Sequence, residues 1–413
     1  MALTSYMRPV DHRRFMLTAD WLAVAVAVAL PWSTSATAIF STLWLLALLP
    51  TLDWADLRRE LVTPAGGLPV LLVALGVLGV AWADVDWHAR WGGVSSFFRL
   101  LLIPLLFAQF RRSERGMCVL TGYLVSCIIL LPITSVVHGH GKIEDVFVKN
   151  GATQSEEFVI CIFCAMYLAF DWLKARAWWK VAAFAAVTLG MLGNMVFIAT
   201  GRTALVVIPV LLVLFAWKRL SGEGMAILFA AVIVVGAIGW FSSPYLRYRT
   251  TELWTGFYAY WTSDANSSSG ERFEFYRKSL IIIRQAPILG HGTGTITKLF
   301  GQLSSGDLSI ASGTPTTNPH NQTFAVAIQV GLVGAAVLWA MWIAHLMLFR
   351  GDGLAAWVGL VIVAQNIVGS LFNSHLFDFD QAWIYVLGVG VAGGMVLKAR
   401  AAATSVGATP SSA

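Results

Sequence analysis

The chain is a succession of apolar runs that are separated by short polar or basic loops. Each run comes near the roughly 20 residues that a helix needs to cross a membrane, although several are slightly short. Of the 413 residues, 57% are hydrophobic and only 12% are charged, whereas soluble domains contain about 25% charged residues. We therefore predict an all-α, polytopic membrane protein with about 12 transmembrane helices. The predicted spans cover residues 16–32, 35–50, 66–82, 94–110, 116–137, 158–173, 178–199, 203–217, 225–241, 323–349, 354–370 and 381–397.

The basic residues predict the orientation of these spans, because short loops rich in Lys and Arg stay in the cytoplasm. Most basic residues fall on one side, whereas the short loops of the other side hold only Arg90, Lys142, Lys149 and Arg202. We therefore expect both termini in the cytoplasm, which requires an even number of spans. The net charge of +6 belongs to these loops, so membrane lipids and no nucleic acid are the expected surroundings.

One connection, Ser242 to Gln322, is far longer than the others and falls on the periplasmic side, between the ninth and tenth spans. It is polar and rich in Gly and Ser, and loops of more than about 15 residues are usually functional or disordered. Within it, residues 273–283 (FEFYRKSLIII) predict an amphipathic helix at the membrane interface. The predicted organisation is spans 1 to 9 in residues 1–241, a periplasmic catalytic loop with short amphipathic helices in 242–322, spans 10 to 12 in 323–400 and a cytoplasmic tail in 401–413.

A histidine stands where this loop meets the tenth span. Asn318 is a good helix N-cap and Pro319 suits the first helical position, so the sequence predicts His320 in the first turn of a membrane helix. The positive end of the helix dipole favours a neutral imidazole, which can act as a base. Asn321 is a possible supporting residue. Alternatively, His320 only caps the helix or packs at the junction.

Three arginines are candidate anion ligands. Arg202 lies in a periplasmic hairpin against the positive-inside trend, Arg272 opens the amphipathic stretch, and Arg99 lies just inside the fourth span. Arg202 and Arg99 are each either a ligand for an anionic group or a side chain that reaches out to lipid headgroups, whereas Arg272 is a candidate through its charge. Asp378 and Asp380 either pair with one of these arginines or are ordinary carboxylates at a helix start.

Two further residues of the loop are possible supporting residues of a site. Gly292 belongs to Gly290-His291-Gly292-Thr293-Gly294, where glycine lets the backbone approach a phosphate closely. A flexible turn explains these glycines better when they are considered alone, because no preceding strand and no following lysine makes a nucleotide loop of them. Arg277 adds a positive charge to the amphipathic stretch.

The sequence predicts neither a metal nor a cofactor. His138 and His140, with Glu144 and Asp145 nearby, lack the spacing of structural zinc sites. The four cysteines all lie within apolar runs, where free cysteine behaves as a small hydrophobic residue.

The order of these motifs resembles the O-antigen ligase and polymerase superfamily. The resemblance rests on Arg202 in a short hairpin, Arg272 in a long loop, the segment PILGHGTG, and the segment NPHNQTFAVAIQVGLVG, and it covers residues 192–338. It implies a GT-C-like fold that transfers a glycan from undecaprenyl pyrophosphate to an acceptor hydroxyl at the periplasmic face of the inner membrane, without a metal. It further implies that His320 engages the acceptor hydroxyl and that Arg202 and Arg272 bind the donor pyrophosphate, with Arg99 as a third candidate.

Within that superfamily, the chain is most similar to the ligases, which modify lipid A-core oligosaccharide. Its length, its single large loop and the lack of an added C-terminal domain favour the ligase over the polymerase, whose acceptor is another lipid-linked repeat unit. A transporter of a lipid-linked sugar is a further alternative. It would depend on residues near the bilayer midplane, such as Asn194 or Gln365, rather than on a cluster at the periplasmic rim.

Overall fold

The computed structural model describes residues 11–138, 150–199 and 201–407. Within these ranges the chain is helical and forms no strand. The α-helices are α1 (His12–Ala29), α2 (Thr34–Leu48), α3 (Trp54–Leu61), α4 (Pro64–Leu78), α5 (Trp87–Phe98), α6 (Leu102–Arg112), α7 (Gly116–His138), α8 (Gly151–Lys174), α9 (Trp178–Phe197), α10 (Arg202–Arg219), α11 (Gly222–Ser242), α12 (Pro244–Ser263), α13 (Ser268–Gln285), α14 (Ile296–Gln302), α15 (Gln322–Leu348), α16 (Leu354–Gly369) and α17 (Phe379–Gly407). The metal-site candidates His140, Glu144 and Asp145 and the end of the predicted tail lie outside the described residues.

Each predicted apolar run coincides with a helix or with two helices in succession. In the part of the chain that is described, 8 stretches are long and apolar enough to cross a membrane. They are Thr34–Thr51, Pro64–Trp82, Trp87–Arg112, Gly116–Val136, Trp178–Phe197, Gly222–Ser242, Gln322–Leu348 and Phe379–Thr404. Helix α16 is apolar but has only 16 residues. The polytopic, all-helical class is thus confirmed, while the number of twelve spans stays a prediction.

One hydrophobic core runs through α1, α2, α4 to α10 and α15 to α17. Its largest buried side chains include Phe107, Phe158, Trp342, Trp357 and Tyr385. Lipid is as apolar as these side chains, so close packing rather than exclusion of water holds such a bundle together. Helix α11 differs from the others because none of its residues is buried.

Helix α15 is broken halfway along its length. Val330 and Gly331 leave the helical conformation, and Gly331 has a φ of 70°, which only glycine adopts at little cost. The backbone of PILGHGTG fills the break, since the N–H of His291 donates to Ile328 O (2.8 Å) and that of Gly292 to Gln329 O (2.9 Å). These glycines therefore bring two stretches of protein backbone together. A Cβ atom on Gly292 would lie 2.4 Å from the Cα atom of Ala83.

The long loop is largely helical, because it contains α12, α13 and α14. The predicted helix at residues 273–283 lies within α13 and is confirmed, and part of its apolar side packs inside the protein. Phe275 and Ile282 join Phe300 and Ile328 in a second hydrophobic core between α13, α14 and α15. This core fixes α13 against the start of α15, where His320 lies.

Candidate active site

One side of α13 faces both α10 and the segment that precedes α15. Arg202, the first residue of α10, donates to Ser269 Oγ (3.0 Å) and also to Ser268. Seven residues after Ser268, the ring of Phe275 in α13 stacks on that of His320. The ring centroids are 5.8 Å apart and the ring planes are at 14° to each other. An α-helix rises about 1.5 Å per residue, so Arg202 and His320 meet α13 at points about 10 Å apart.

Arg272 lies between these two points. Ser268, Arg272 and Phe275 are spaced four and three residues apart, which places them on the same side of a helix. The positive charge of Arg272 lowers the pKa of His320, which places the guanidinium within electrostatic reach of the imidazole. The structure therefore brings Arg202, Arg272 and His320 together along one side of α13.

Arg202 is directed into the protein rather than towards lipid. Its side chain is only 9% exposed, and it forms an ion pair with Glu252 of α12 (Nη1 to Oε2, 3.4 Å) in addition to its contacts with α13. A guanidinium at a helix N-terminus is disfavoured by the helix dipole. Glu252 offsets that cost. The buried side chain of Arg202 therefore does not match the alternative of an arginine that reaches out to lipid headgroups.

The sequence predicts that α15 begins with Asn318 as its N-cap, and this prediction is wrong by about one turn. The N-cap of α15 is Asn321, whose Oδ1 accepts from the N–H of Phe324 (3.1 Å), and the helix begins at Gln322. His320 lies before the cap with a φ of 54°, a left-handed conformation that histidine tolerates better than most residues. The oxygen of Asn318 accepts from the N–H of His320 (2.8 Å), two residues on, and thereby shapes the loop instead of capping the helix.

The surroundings of His320 favour the neutral imidazole. Burial, followed by the positive charge of Arg272, lowers its pKa from 6.5 to about 4, while a hydrogen bond with Asn373 acts in the opposite direction. His320 is therefore neutral near pH 7 and available as a base. Burial and Arg272 thus account for a state that the sequence attributed to a helix dipole.

A polar chain extends from His320 towards α17. Its Nδ1 lies 3.1 Å from Asn373 Oδ1, and Asn373 Nδ2 donates to Asp378 Oδ2 (2.5 Å). Burial raises the pKa of Asp378 to about 6. Arg99 donates to the backbone oxygen of Asp378 (2.9 Å) and lies over the ring of Phe379. Arg99 is therefore at the far end of this chain, behind the histidine, and not beside Arg202 and Arg272.

The two other possible supporting residues have structural partners of their own. Arg277 is half exposed and pairs with Glu274 (Nη2 to Oε1, 2.6 Å). It is five residues from Arg272 and so points about 140° away around α13. Gly292 belongs to the packing at the break of α15. Neither residue is placed on the side of α13 that carries Arg272.

A cavity of about 430 Å³ opens beside the loop of His320. It is lined by α5, α15 and the loops that hold Asn318, Ser374 and Asp378, and its lining includes no Lys or Arg. Hydroxyl, amide and carboxylate groups such as those of Ser96, Asn318 and Asp378 are suited to the hydroxyl groups of an uncharged sugar.

Sequence reasoning missed Asn373. It lies in a polar stretch, Asn373-Ser374-His375, between α16 and α17, and nothing in its local sequence distinguishes it from an ordinary turn residue. Only the hydrogen bonds across 53 and 55 residues of sequence, to His320 and Asn318, give it a place in the site.

Comparisons with known proteins show which family the chain is similar to. A family model described as O-antigen ligase matches residues 187–339, which include Arg202, Arg272 and His320. A protein of Haemophilus influenzae, described only as an uncharacterized protein, is 25% identical over 160 residues. That match covers 38% of this chain and 40% of the relative, so the chain spans less than half of the relative's length. The similarity to the O-antigen ligase and polymerase family is therefore confirmed.

Proposed function

We propose that the protein is an O-antigen ligase that transfers O-antigen polysaccharide from undecaprenyl pyrophosphate to lipid A-core oligosaccharide. The observation that carries the proposal is the order of Arg202, Arg272 and His320 along one side of α13. Two guanidinium groups and a neutral imidazole follow one another along this helix, which suits a reaction in which a neutral nucleophile displaces an anionic leaving group.

Displacement of the lipid pyrophosphate leaves negative charge that must be neutralised. The planar guanidinium groups of Arg202 and Arg272 can each donate two parallel hydrogen bonds to phosphate oxygens, so the proposed reaction needs no metal. In the proposed step, the acceptor oxygen forms a bond to the anomeric carbon as the bond from that carbon to the phosphate oxygen breaks. The anomeric configuration is inverted by this direct attack.

His320 is the proposed general base. It takes the proton of the acceptor hydroxyl as the new glycosidic bond forms, and a base in this position contributes about 10² to 10⁴ in rate. The cavity next to Asn318 and Pro319 is the proposed acceptor site, because its lining suits sugar hydroxyl groups and includes no Lys or Arg that would compete for the pyrophosphate.

The proposed topology places this site at the periplasmic face of the inner membrane. It comprises twelve spans in a GT-C-like arrangement, with both termini in the cytoplasm and residues 242–322 in the periplasm, and the helices found at each apolar run support its helical membrane class. The cytoplasmic ends would then carry the basic loops, as the positive-inside rule expects.

Two other functions remain alternatives. An O-antigen polymerase would use the same groups with another lipid-linked glycan as acceptor. A transporter of a lipid-linked sugar would rely on midplane residues such as Asn194 and Gln365. Both are buried, and Asn194 forms a hydrogen bond with Gln154 (2.8 Å) while Gln365 forms one with Glu156 (3.4 Å). Their partners give both residues a structural role in the bundle.

The test is transfer in vitro from undecaprenyl-pyrophosphate-linked O-antigen to purified lipid A-core, with EDTA present. We expect modified lipid A-core from the wild type and none from the His320→Ala variant. Polymerised donor without modified acceptor would identify a polymerase instead. No transfer by folded wild-type protein with active substrates would refute both glycosyltransferase functions and favour transport.

A further inference from the structure

The two ring nitrogens of His320 cannot be told apart by position alone, because a neutral imidazole carries its proton on either one. Only the nitrogen without the proton can serve as a base. The hydrogen bonds around Nδ1 determine which nitrogen that is, and they can be followed from two independent starting points.

The first starting point is the backbone of His320 itself. Its N–H can only donate, so the atom of Asn318 that lies 2.8 Å from it is the side-chain oxygen. The Ser374 hydroxyl donates to the same oxygen (2.7 Å). The amide nitrogen of Asn318 therefore points the other way, towards Asn373 (2.8 Å), and an amide nitrogen can only donate. The atom of Asn373 that receives this bond is its oxygen.

The second starting point is the Asp378 carboxylate. An ionised carboxylate can only accept, so the atom of Asn373 that lies 2.5 Å from it is the amide nitrogen. This places the oxygen of Asn373 on the side of His320, in agreement with the first argument. The two arguments begin at opposite ends of the network and share only Asn373.

We infer that Asn373 is a positioning residue that holds the proton of His320 on Nδ1 and so leaves Nε2 as the basic atom. Its oxygen lies 3.1 Å from Nδ1 and is already an acceptor, so Nδ1 must donate to it. The role of Nε2 in taking the proton of a sugar hydroxyl rests on the proposed function, whereas the position of the proton does not.

An amide in this place has a different effect from a carboxylate. It orients the ring and fixes its tautomer, but it brings no full negative charge that would raise the basicity of His320. The charged groups around the ring are Arg272 of α13 and, beyond Asn373, Asp378 with its neighbours Arg99 and His375. The stack on Phe275 holds the plane of the ring from the other side.

The position of the proton can be measured without any substrate. The chain has 8 histidines, so ¹⁵N NMR of histidine-labelled protein in nanodiscs at pH 7.5, compared with a His320→Gln sample, isolates the two ring nitrogens of His320. We expect a protonated Nδ1 and an unprotonated Nε2 in the wild type, and a mixture of the two tautomers in Asn373→Ala. A protonated Nε2 in the wild type, or an unchanged tautomer in Asn373→Ala, would overturn the inference.

A paired substitution protects this test against simple misfolding. In Asn373→Asp with Asp378→Asn, the carboxylate and the amide exchange places, so the residue next to Nδ1 still accepts and its neighbour still donates. We expect the double variant to restore the Nδ1 tautomer that Asn373→Ala loses. Asn266→Ala, which removes an exposed asparagine between α12 and α13, is the control for the loss of an amide.

Transfer assays separate the inference from the proposed function. Asn373→Ala should lower kcat on the order of 10²-fold, within the range of a general base, with little change in KM for the donor. The double variant should recover activity. In its pH–rate profile the fall in activity at low pH should occur at a higher pH than in the wild type, because a carboxylate beside Nδ1 raises the pKa of His320. Without transfer by the wild type, the proposed function fails while the NMR result still decides the tautomer. A wild type that transfers glycan with its proton on Nε2 refutes the inference alone.

Discussion

At the scale of single residues, His320 and Arg272 act on each other. Burial is the main cause of the lowered pKa of His320, and the arginine that is proposed to hold a phosphate lowers this pKa further. A bound pyrophosphate would partly neutralise that arginine. The basicity of His320 is therefore expected to rise when the donor is in place, which couples donor binding to the readiness of the base.

This coupling predicts a shift in the pH dependence of transfer. Activity needs the neutral imidazole, so it should fall as the pH drops through the pKa of His320, about 4 in the structure. Arg272→Gln removes a positive charge, so the pKa rises and the acidic fall in kcat moves to higher pH, in addition to weaker donor binding. The measurement is a pH–rate profile at saturating donor, with Arg284→Gln of the same helix as control. An acidic limb that does not move would contradict the role of Arg272.

Arg202 should depend on its planar, forked geometry. Lysine keeps the charge but loses the paired hydrogen bonds, so Arg202→Lys is expected to raise KM for the donor by about tenfold, which corresponds to roughly 1.4 kcal/mol. Arg219→Lys is the matched control, because it lies at the other end of α10 and pairs with Asp171. An unchanged donor KM in Arg202→Lys would exclude Arg202 from the donor site.

At the scale of helices, the break in α15 positions the site. Ala325 and Ile328 of the N-terminal half belong to the second hydrophobic core, Leu338 and Met341 of the C-terminal half belong to the first, and the backbone of residues 287–294 is inserted at the break between the halves. The loop of His320 is therefore held by its contacts with α13, and it does not continue the axis of one unbroken helix.

Gly331 is expected to be intolerant of substitution. A Cβ atom there would lie 1.9 Å from Ile288 O, and the φ of 70° costs other residues about 1 to 2 kcal/mol before any clash. Gly331→Ala should therefore lower the Tm clearly in detergent. Gly193→Ala is the matched control, since nothing lies within 4 Å and alanine favours a helix by about 0.5 to 1 kcal/mol. Equal Tm values for the two variants would contradict the strain assigned to this break.

Local patterns of this chain predict its helices well and its site only in part. The apolar runs became helices because their composition leaves few alternatives in a membrane. The start of α15 was misplaced because Asn318 and Asn321 are equally good N-caps, and the contacts of Asn318 with Asn373 and Ser374 decide between them. The sequence likewise does not show which of Arg272 and Arg277 faces the site, because both are arginines of the same stretch. Only the partners of α13 reveal which side of the helix forms the site.

At the scale of the whole molecule, the proposal requires the segment between α11 and α15 to lie outside the cytoplasm and the end of α17 inside it. In variants that each add one cysteine to the native four, Thr262→Cys should react with a membrane-impermeant maleimide in intact cells. Thr404→Cys should react only after lysis, and both residues are exposed in the structure. The unsubstituted protein controls for Cys118, which is also exposed. The reverse labelling pattern would invert the topology and refute a periplasmic site.

Helix α11 connects the thickness of the surrounding lipid bilayer to the position of α12. With 21 residues and none of them buried, it is about 32 Å long, close to the roughly 30 Å of a bilayer's hydrocarbon core. Thinner bilayers create a hydrophobic mismatch that such a helix relieves by tilting. Only Ser243 separates α11 from α12, and α12 holds the Glu252 partner of Arg202. Acyl-chain length is therefore expected to tune donor affinity through the tilt of a helix that takes no part in the chemistry.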